Sequence, residues 1–272
     1  MTNAENYQIR VTLFLKIMSL KFSIFREATS SSNMSSRKYI VLENLTKDFN
    51  KPCVLDLKMG TRMYGDFATD SKRKSQRKKS TKSTSAKLGV RFCGSQRFSV
   101  SNDKFEMLDK YVGRHADESE LRKLLEKFFT HGMSLRKDVI NNVLGEICRM
   151  KKSLLDLEEY RFYSSSLLII YEGMIKEDKY ESKLFCETEN SMDCENFEME
   201  AYESESFDST KYRKEDVPSC SVKMKIIDFA NVSFPTLESD QSLHEGPDRG
   251  FLMGLDNLYE ILESLLEEEA FK

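Results

Sequence analysis

The nine residues PCVLDLKMG (Pro52–Gly60) run from a proline to a glycine with a carboxylate and an ammonium two residues apart. In an extended chain residues i and i+2 point the same way, roughly 6–7 Å apart. Asp56 and Lys58 therefore share one face of a strand, while Leu55 and Leu57 pack on the other. Spacing alone leaves two readings of the charged face open. It is a solvated ion pair worth under about 1 kcal/mol, or the edge of a site. In such a site the lysine would hold a phosphate and the aspartate would accept hydroxyl hydrogen bonds.

Composition narrows the setting. The 272 residues carry 42 Lys and Arg against 45 Asp and Glu, a net charge of −3 that hides a segregation. A basic run, SKRKSQRKKSTK (Ser71–Lys82), is offset by an acidic stretch from Glu172 to Asp216. A basic run is ordinarily a solvated surface and can also meet a polyanion. The six cysteines show no C-x-x-C pair and the histidines number three, which argues against zinc and a disulfide framework. Reduced thiols fit a cytoplasmic or nuclear protein. The apolar stretch Val11–Phe25 is broken by Lys16 and Lys21 and is too short to span a bilayer. It reads as a strand or helix packed on the domain, with no membrane span.

The pattern along the rest of the chain is that of an α+β domain. Ala28–Lys38 is a serine-rich connector, and Lys38–Leu45 reads as a short buried strand. Lys87–Val100 alternates on both sides of Gly94-Ser95, which suggests a hairpin turning there. From Asp117, Leu121, Leu124, Leu125, Phe128 and Phe129 line one face of a helix that should stop at Gly132. Ser134 can cap a second helix carrying Val139, Ile140, Val143, Leu144 and Ile147, which continues or restarts through Leu154, Leu155 and Leu157. Tyr163–Gly173 and Val222–Phe234 read as paired strands flanking an acidic, serine-rich insertion (176–219) expected to be disordered. An amphipathic helix with an acidic outer face follows from Leu255.

Two further elements could carry chemistry. Asp228 directly follows a β-branched run in KIIDFA, where it could hold a divalent ion or simply cap the strand. HEGPDRG (His244–Gly250) is a turn with two acids and an arginine ahead of a helix, a weak signal by itself.

Taken together and in order, these segments resemble the inositol polyphosphate kinases. PCVLDLKMG matches that family's PxxxDxKxG signature, SSSLLIIYEG resembles its Ser-Leu-Leu strand, and IIDFA its metal-binding Asp-Phe-Ala/Gly. TSAKLGVRFCG, YRFYSSSLLIIYEG and GPDRGFLMGLDNL look like the inositol hexakisphosphate kinase branch. The resemblance covers roughly Lys38 to Phe271 and implies a protein-kinase-related α+β fold with an antiparallel sheet and C-terminal helices. Residues 1–37 would be a divergent N-terminal segment and 38–272 the catalytic domain.

The resemblance implies ATP-dependent phosphoryl transfer to inositol hexakisphosphate, giving a diphosphoinositol phosphate. Its alternatives are a multikinase acting on less phosphorylated inositols, or an inactive inositol-phosphate-binding relative. Glu43 and Leu45 would be the hinge for adenine, and Asp56 would bind the ribose hydroxyls. Lys58 would sit between the γ-phosphate and the acceptor, with Lys58 and Asp228 as the catalytic pair. Asp228 would hold Mg²⁺ with Ser166 beside it. The acceptor's phosphates would meet Lys58 and some of Lys72, Lys74, Arg77, Lys78 and Arg91. No aromatic residue interleaves the basic run, so nucleic acid is not an expected partner, and a monomer is expected.

Two departures accompany the resemblance. Asn231 stands after DFA where the branch commonly has histidine, and an amide cannot take up a proton. Met1–Ser36 carries no motif matching the family's phosphate-covering turn, nucleotide-contacting lysine or partner glutamate, so an incomplete N-terminal lobe is expected.

Overall fold

A computed structural model describes residues 43–174, 221–234 and 244–270, with the backbone of two short strands before them. These are β1 (Ser23–Phe25) and β2 (Tyr39–Val41), which pair antiparallel with Ile24 opposite Ile40. The acidic insertion and most of Val11–Phe25 lie outside the described residues. In chain order come β3 (Pro52–Met59), α1 (Asp70–Thr81), α2 (Ser85–Leu88), β4 (Val90–Ser99), β5 (Lys104–Leu108), α3 (Lys110–His115) and α4 (Glu118–Phe129). They are followed by β6 (Thr130–His131), β7 (Ser134–Leu135), α5 (Lys137–Leu155), β8 (Arg161–Phe162), β9 (Ser166–Glu172), β10 (Val222–Ile227), β11 (Val232–Ser233) and α6 (Arg249–Ala270).

The alternation of Pro52–Gly60 becomes the central strand of a five-stranded antiparallel sheet, ordered β10-β9-β3-β4-β5. Cys53, Leu55, Leu57 and Met59 are 0–1 % exposed and join Leu167, Ile169, Tyr171, Met224 and Ile226 in one core. That side of the sheet is covered by the apolar stripes of α4, α5 and α6. Val54, Asp56 and Lys58 lie on the opposite, open side, in register with Ile170, Leu168 and Ser166 of β9.

The strands flanking the insertion pair as expected, with Val222 opposite Tyr171 and Ile227 opposite Ser166. The hairpin expected at Gly94-Ser95 does not form. β4 runs straight through it, and the register slips so that Asp56 faces Gly94 while Leu57 faces Phe92. Cys93 is thus the extra residue of a β-bulge. Gly94 lies against β5, where a Cβ would come within 3.2 Å of the Leu108 carbonyl. The chain instead reverses after a 3-10 turn at Val100–Asn102, with Asp103 left-handed at φ 47°.

The helices also end differently from their sequence signals. α4 has the capping box of Asp117 and Glu120 but stops at Phe129, and Gly132 (φ 62°) turns a small β6–β7 hairpin. Ser134 belongs to that hairpin and caps nothing. Arg136 precedes α5 instead, its guanidinium gripping Asp138 through two 2.8 Å hydrogen bonds. α5 is one helix through Leu155, without a restart. α6 starts at Arg249, six residues before the apolar repeat that predicted it.

The start of α6 is fixed by Asp248. Its Oδ1 accepts from Phe251 N (3.0 Å) and its Oδ2 from Phe162 N (2.8 Å), so one buried carboxylate caps the helix and ties it to β8. Farther along, α6 crosses the α2–β4 junction backbone to backbone: a Cβ on Gly254 would lie 2.2 Å from the Gly89 carbonyl. That same carbonyl accepts from Gly60 N at 2.7 Å, which fixes the end of β3. Among the described residues no helix is long and apolar enough to cross a membrane.

Candidate functional site

Strand register gathers the charged residues at the Gly60 end of the open face. Lys58 lies opposite Ser166 on one side and Arg91 on the other. Asp228 follows β10 immediately, its φ of 66° turning the chain out of the strand, and Ser165 Oγ donates to its carbonyl at 3.1 Å. Lys58 Nζ donates to Asp228 Oδ2 (2.7 Å) and to Ser166 Oγ (3.2 Å). The lysine side chain is 16 % exposed and the aspartate 57 %, so the acid is open to exchange its partner.

Asp56 sits deeper on the same face. Burial pushes its carboxyl above the ordinary value, against the hydrogen bond from Ser166 and the charge of Lys58, and Asp228 adds to the upward push. Its Oδ1 is buried and has no hydrogen-bond partner among the described residues. Arg91 is half-buried, its charge disfavoured by burial and by Arg114 nearby, and its Nε also has no partner among the described residues. Cys93, the bulge residue, has its thiol pushed up by burial and by the Asp56 charge.

The donor set at Asp228 and Ser166 is one carboxylate and one hydroxyl, both hard oxygens. Among the described residues no group of three or more His, Cys, Asp or Glu could cage a metal. That sparse set suits Mg²⁺ or Mn²⁺, which keep water and phosphate oxygens in most positions, and does not suit zinc.

The other expected site residues fall into two groups. The basic run folds as α1, capped by Thr69 and anchored where Ser80 Oγ donates to Thr61 O (3.0 Å). Lys72, Lys74 and Lys78 are exposed on it, and none pairs with a carboxylate among the described residues. Arg77 Nε instead donates to Tyr64 Oη at 3.0 Å. Glu43 and Leu45 lie toward the Pro52 end of the sheet, where Leu45 meets Lys223, which is level with Val54 across β9. Glu43 is exposed, 3.9 Å from Lys47, and the Leu45 carbonyl accepts from Lys223 Nζ at 3.1 Å. Asn231 packs against the segment after β3, its Cβ 3.5 Å from where a Cβ on Gly65 would lie.

A cavity of about 260 Å³ opens just past β3, walled by Gly60, Arg62, Arg161, Tyr163, Asp248 and Arg249. Sequence reasoning left these residues without roles, apart from the weak turn signal of HEGPDRG. The spacing of Arg62 and Asp66, four apart directly after the strand, was the signal available; their other partners are distant in sequence.

Residues 39–263 match the family model described as inositol polyphosphate kinase. The chain is similar to human inositol hexakisphosphate kinase 2, at 36 % identity over 245 residues, covering 90 % of this chain and 55 % of that protein. It is likewise 36 % identical to human inositol hexakisphosphate kinase 1 over 255 residues, covering 91 % of this chain and 57 % of that one. The chain thus spans about half the length of the curated relatives it matches. Among solved structures, the fold is shared with the inositol phosphate multikinase Ipk2 of S. cerevisiae in complex with ADP and Mn²⁺. That likeness has a TM-score of 0.59 at 23 % identity and covers 84 % of both chains.

Proposed function

The chain belongs to the inositol polyphosphate kinase family, and on that premise we propose that it transfers the γ-phosphoryl group of ATP to inositol hexakisphosphate, giving a diphosphoinositol phosphate and ADP. The observation that carries the proposal is the contact of Lys58 Nζ with Asp228 Oδ2 at 2.7 Å, beside Ser166 and Arg91 on one open sheet face. The names of the relatives support the hexakisphosphate as acceptor. The multikinase likeness speaks for the fold alone.

In this reading the nucleotide lies along the open face from the Pro52 end to the Gly60 end. Glu43 and Leu45 offer backbone groups to adenine, and the Asp56 carboxylate accepts from the ribose hydroxyls. A divalent ion held by Asp228 and Ser166 would neutralise the triphosphate oxygens. Lys58 then donates to the phosphoryl group in transit. Arg91, Arg77 and the lysines of α1 at 72, 74 and 78 balance the acceptor's negative charge. The attacking atom is a phosphate oxygen, already ionised near neutral pH, so no side chain has to remove a proton. An oxygen–phosphorus bond forms to the γ-phosphorus as its bond to the β,γ-bridging oxygen breaks. Positioned charge is what such a reaction needs most. The six cysteines, without paired spacing, support a reducing compartment, cytoplasm or nucleus, and the protein would act as a monomer.

The test is incubation of the purified chain with ATP, Mg²⁺ and inositol hexakisphosphate, with products resolved by charge. A product more charged than the acceptor, lost in Lys58→Ala and Asp228→Asn, is the expected result. Preference for less phosphorylated inositols would favour the multikinase alternative. Tight binding without product at high enzyme would sink both kinase readings and leave a binding module.

A further inference from the structure

Between Gly60 and α1 the chain crosses a nine-residue linker, Thr61–Thr69, in which Met63 and Tyr64 are buried and Arg62 and Asp66 carry a network of polar contacts. The Arg62 guanidinium lies between two aromatic rings, 4.6 Å from the centre of Tyr64 and 4.1 Å from that of Tyr163. It donates through Nη1 to Tyr163 Oη (3.0 Å), through Nε to the Tyr64 carbonyl (3.0 Å) and through Nη2 to Asp66 Oδ1 (2.8 Å). The second oxygen of Asp66 meets His244 Nε2 at 2.9 Å. The linker is tied forward to the helix as well. Arg73 donates to the carbonyls of Asp66 (2.6 Å) and Ala68 (2.8 Å), and Arg77 donates to Tyr64 Oη.

Asp66 is the meeting point of these ties. Its carboxylate joins the linker to Arg62 and to His244, and its backbone carbonyl joins the linker to α1. Only 15 % of its side chain is exposed. Burial pushes the carboxyl up, but hydrogen bonds from His244 and Ser233 and the charges of His244 and Arg62 outweigh it, so it stays below the ordinary range and ionised at neutral pH. Phe67, which follows, is 91 % exposed and contributes no apolar anchor.

We infer that Asp66 is a positioning residue, whose carboxylate clamps the linker to Arg62 and His244 and so holds α1, with its exposed lysines, rigidly beside the Lys58–Asp228 end of the sheet. The inference rests on the kinase reading above and deepens it by naming what orients the cationic helix. Long lysine side chains are costly to order, and a fixed helix backbone lowers that cost for a polyanionic acceptor. ATP, lying along the sheet, does not depend on the clamp. The two substrates should therefore respond differently when it is broken.

The measurements are steady-state kinetics of Asp66→Ala and Asp66→Asn with both substrates, and amide hydrogen exchange of each variant. In Asp66→Ala, KM for inositol hexakisphosphate should rise at least tenfold, with KM for ATP within twofold and kcat within threefold. Exchange should quicken across residues 61–82 while β3, β9 and β10 stay protected. Asp66→Asn, which keeps the shape and hydrogen-bonding oxygen, should recover a large part of the affinity. Equal rises in both KM values, quickened exchange throughout the sheet, or faster exchange at 61–82 with unchanged acceptor KM would each overturn the positioning role. A wild-type chain that neither binds nor phosphorylates inositol hexakisphosphate overturns the kinase reading, and the positioning role with it. Locally quickened exchange would then mark the clamp as structural only.

Discussion

The two faces of β3 obey different rules, although they belong to one strand of eight residues. On one face Cys53, Leu55, Leu57 and Met59 are sealed beneath three helices, and volume decides what fits. On the other, Asp56 and Lys58 sit among Ser166, Asp228 and Arg91, and charge balance decides. The difference teaches that stability and chemistry are separated here at the resolution of a single residue. Neighbouring substitutions should therefore fail in different assays.

The sharpest contrast is expected from Lys58→Ala and Asp228→Asn, which should lower the rate of product formation on the order of 10²–10³-fold. Their melting temperatures should stay within a few degrees of wild type, because Asp228 is open to solvent and Lys58 lies outside the sealed apolar core. A large drop in melting temperature would make Lys58 a structural ion and break the comparison.

One position away, Leu57→Ala should cost about 2–5 kcal/mol in urea unfolding, the usual range for a sealed leucine. A loss under about 1 kcal/mol would mean that the core face is not closed by α4, α5 and α6.

Asp248 tests whether polarity or burial sets the class of a residue. It is charged in type yet behaves as part of the sealed side, so Asp248→Ala should cost about 1–3 kcal/mol, uncapping α6 and leaving Phe162 N unpaired. Chemical denaturation measures this, and an unchanged midpoint would remove the capping argument.

The smallest effect belongs to Asp56. Its carboxyl is raised above the ordinary value by burial, so the native state keeps the proton to higher pH than the unfolded chain does. Stability therefore falls as pH rises through the window between the ordinary and the raised value. Asp56→Asn should flatten that slope and leave the protein slightly more stable at neutral pH, while ATP affinity declines. Denaturation midpoints across the acidic range, compared with wild type, are the check; an unchanged slope would refute the burial argument.

Much of this was legible in the residues. The alternation of Leu55 and Leu57 against Asp56 and Lys58 is local, and the strand keeps it because each side chain obeys the same two-residue period. The apolar stripes of α4 and α5 were visible for the same reason. Where signals depended on a single residue type, they misled. Gly94 reads equally as a turn or as part of a bulge, and only the pairing of β4 with strands on both sides decides for the bulge. Ser134 resembles a cap, but Gly132 spends it on a hairpin. The Arg62–Asp66–His244 clamp was hidden because Asp66 and His244 are 178 residues apart, and no local period connects them.

The crossing of Gly254 over Gly89 governs how the molecule comes into being. The Asn257–Leu88 hydrogen bond beside it joins residues 169 apart. At roughly 5–20 residues per second, a ribosome needs on the order of ten to thirty seconds between making one partner and the other. Throughout that interval the apolar side of the nascent sheet has no α6 to close it. Closure of that face therefore waits on the last helix to be made, and is complete only when Gly254 meets Gly89.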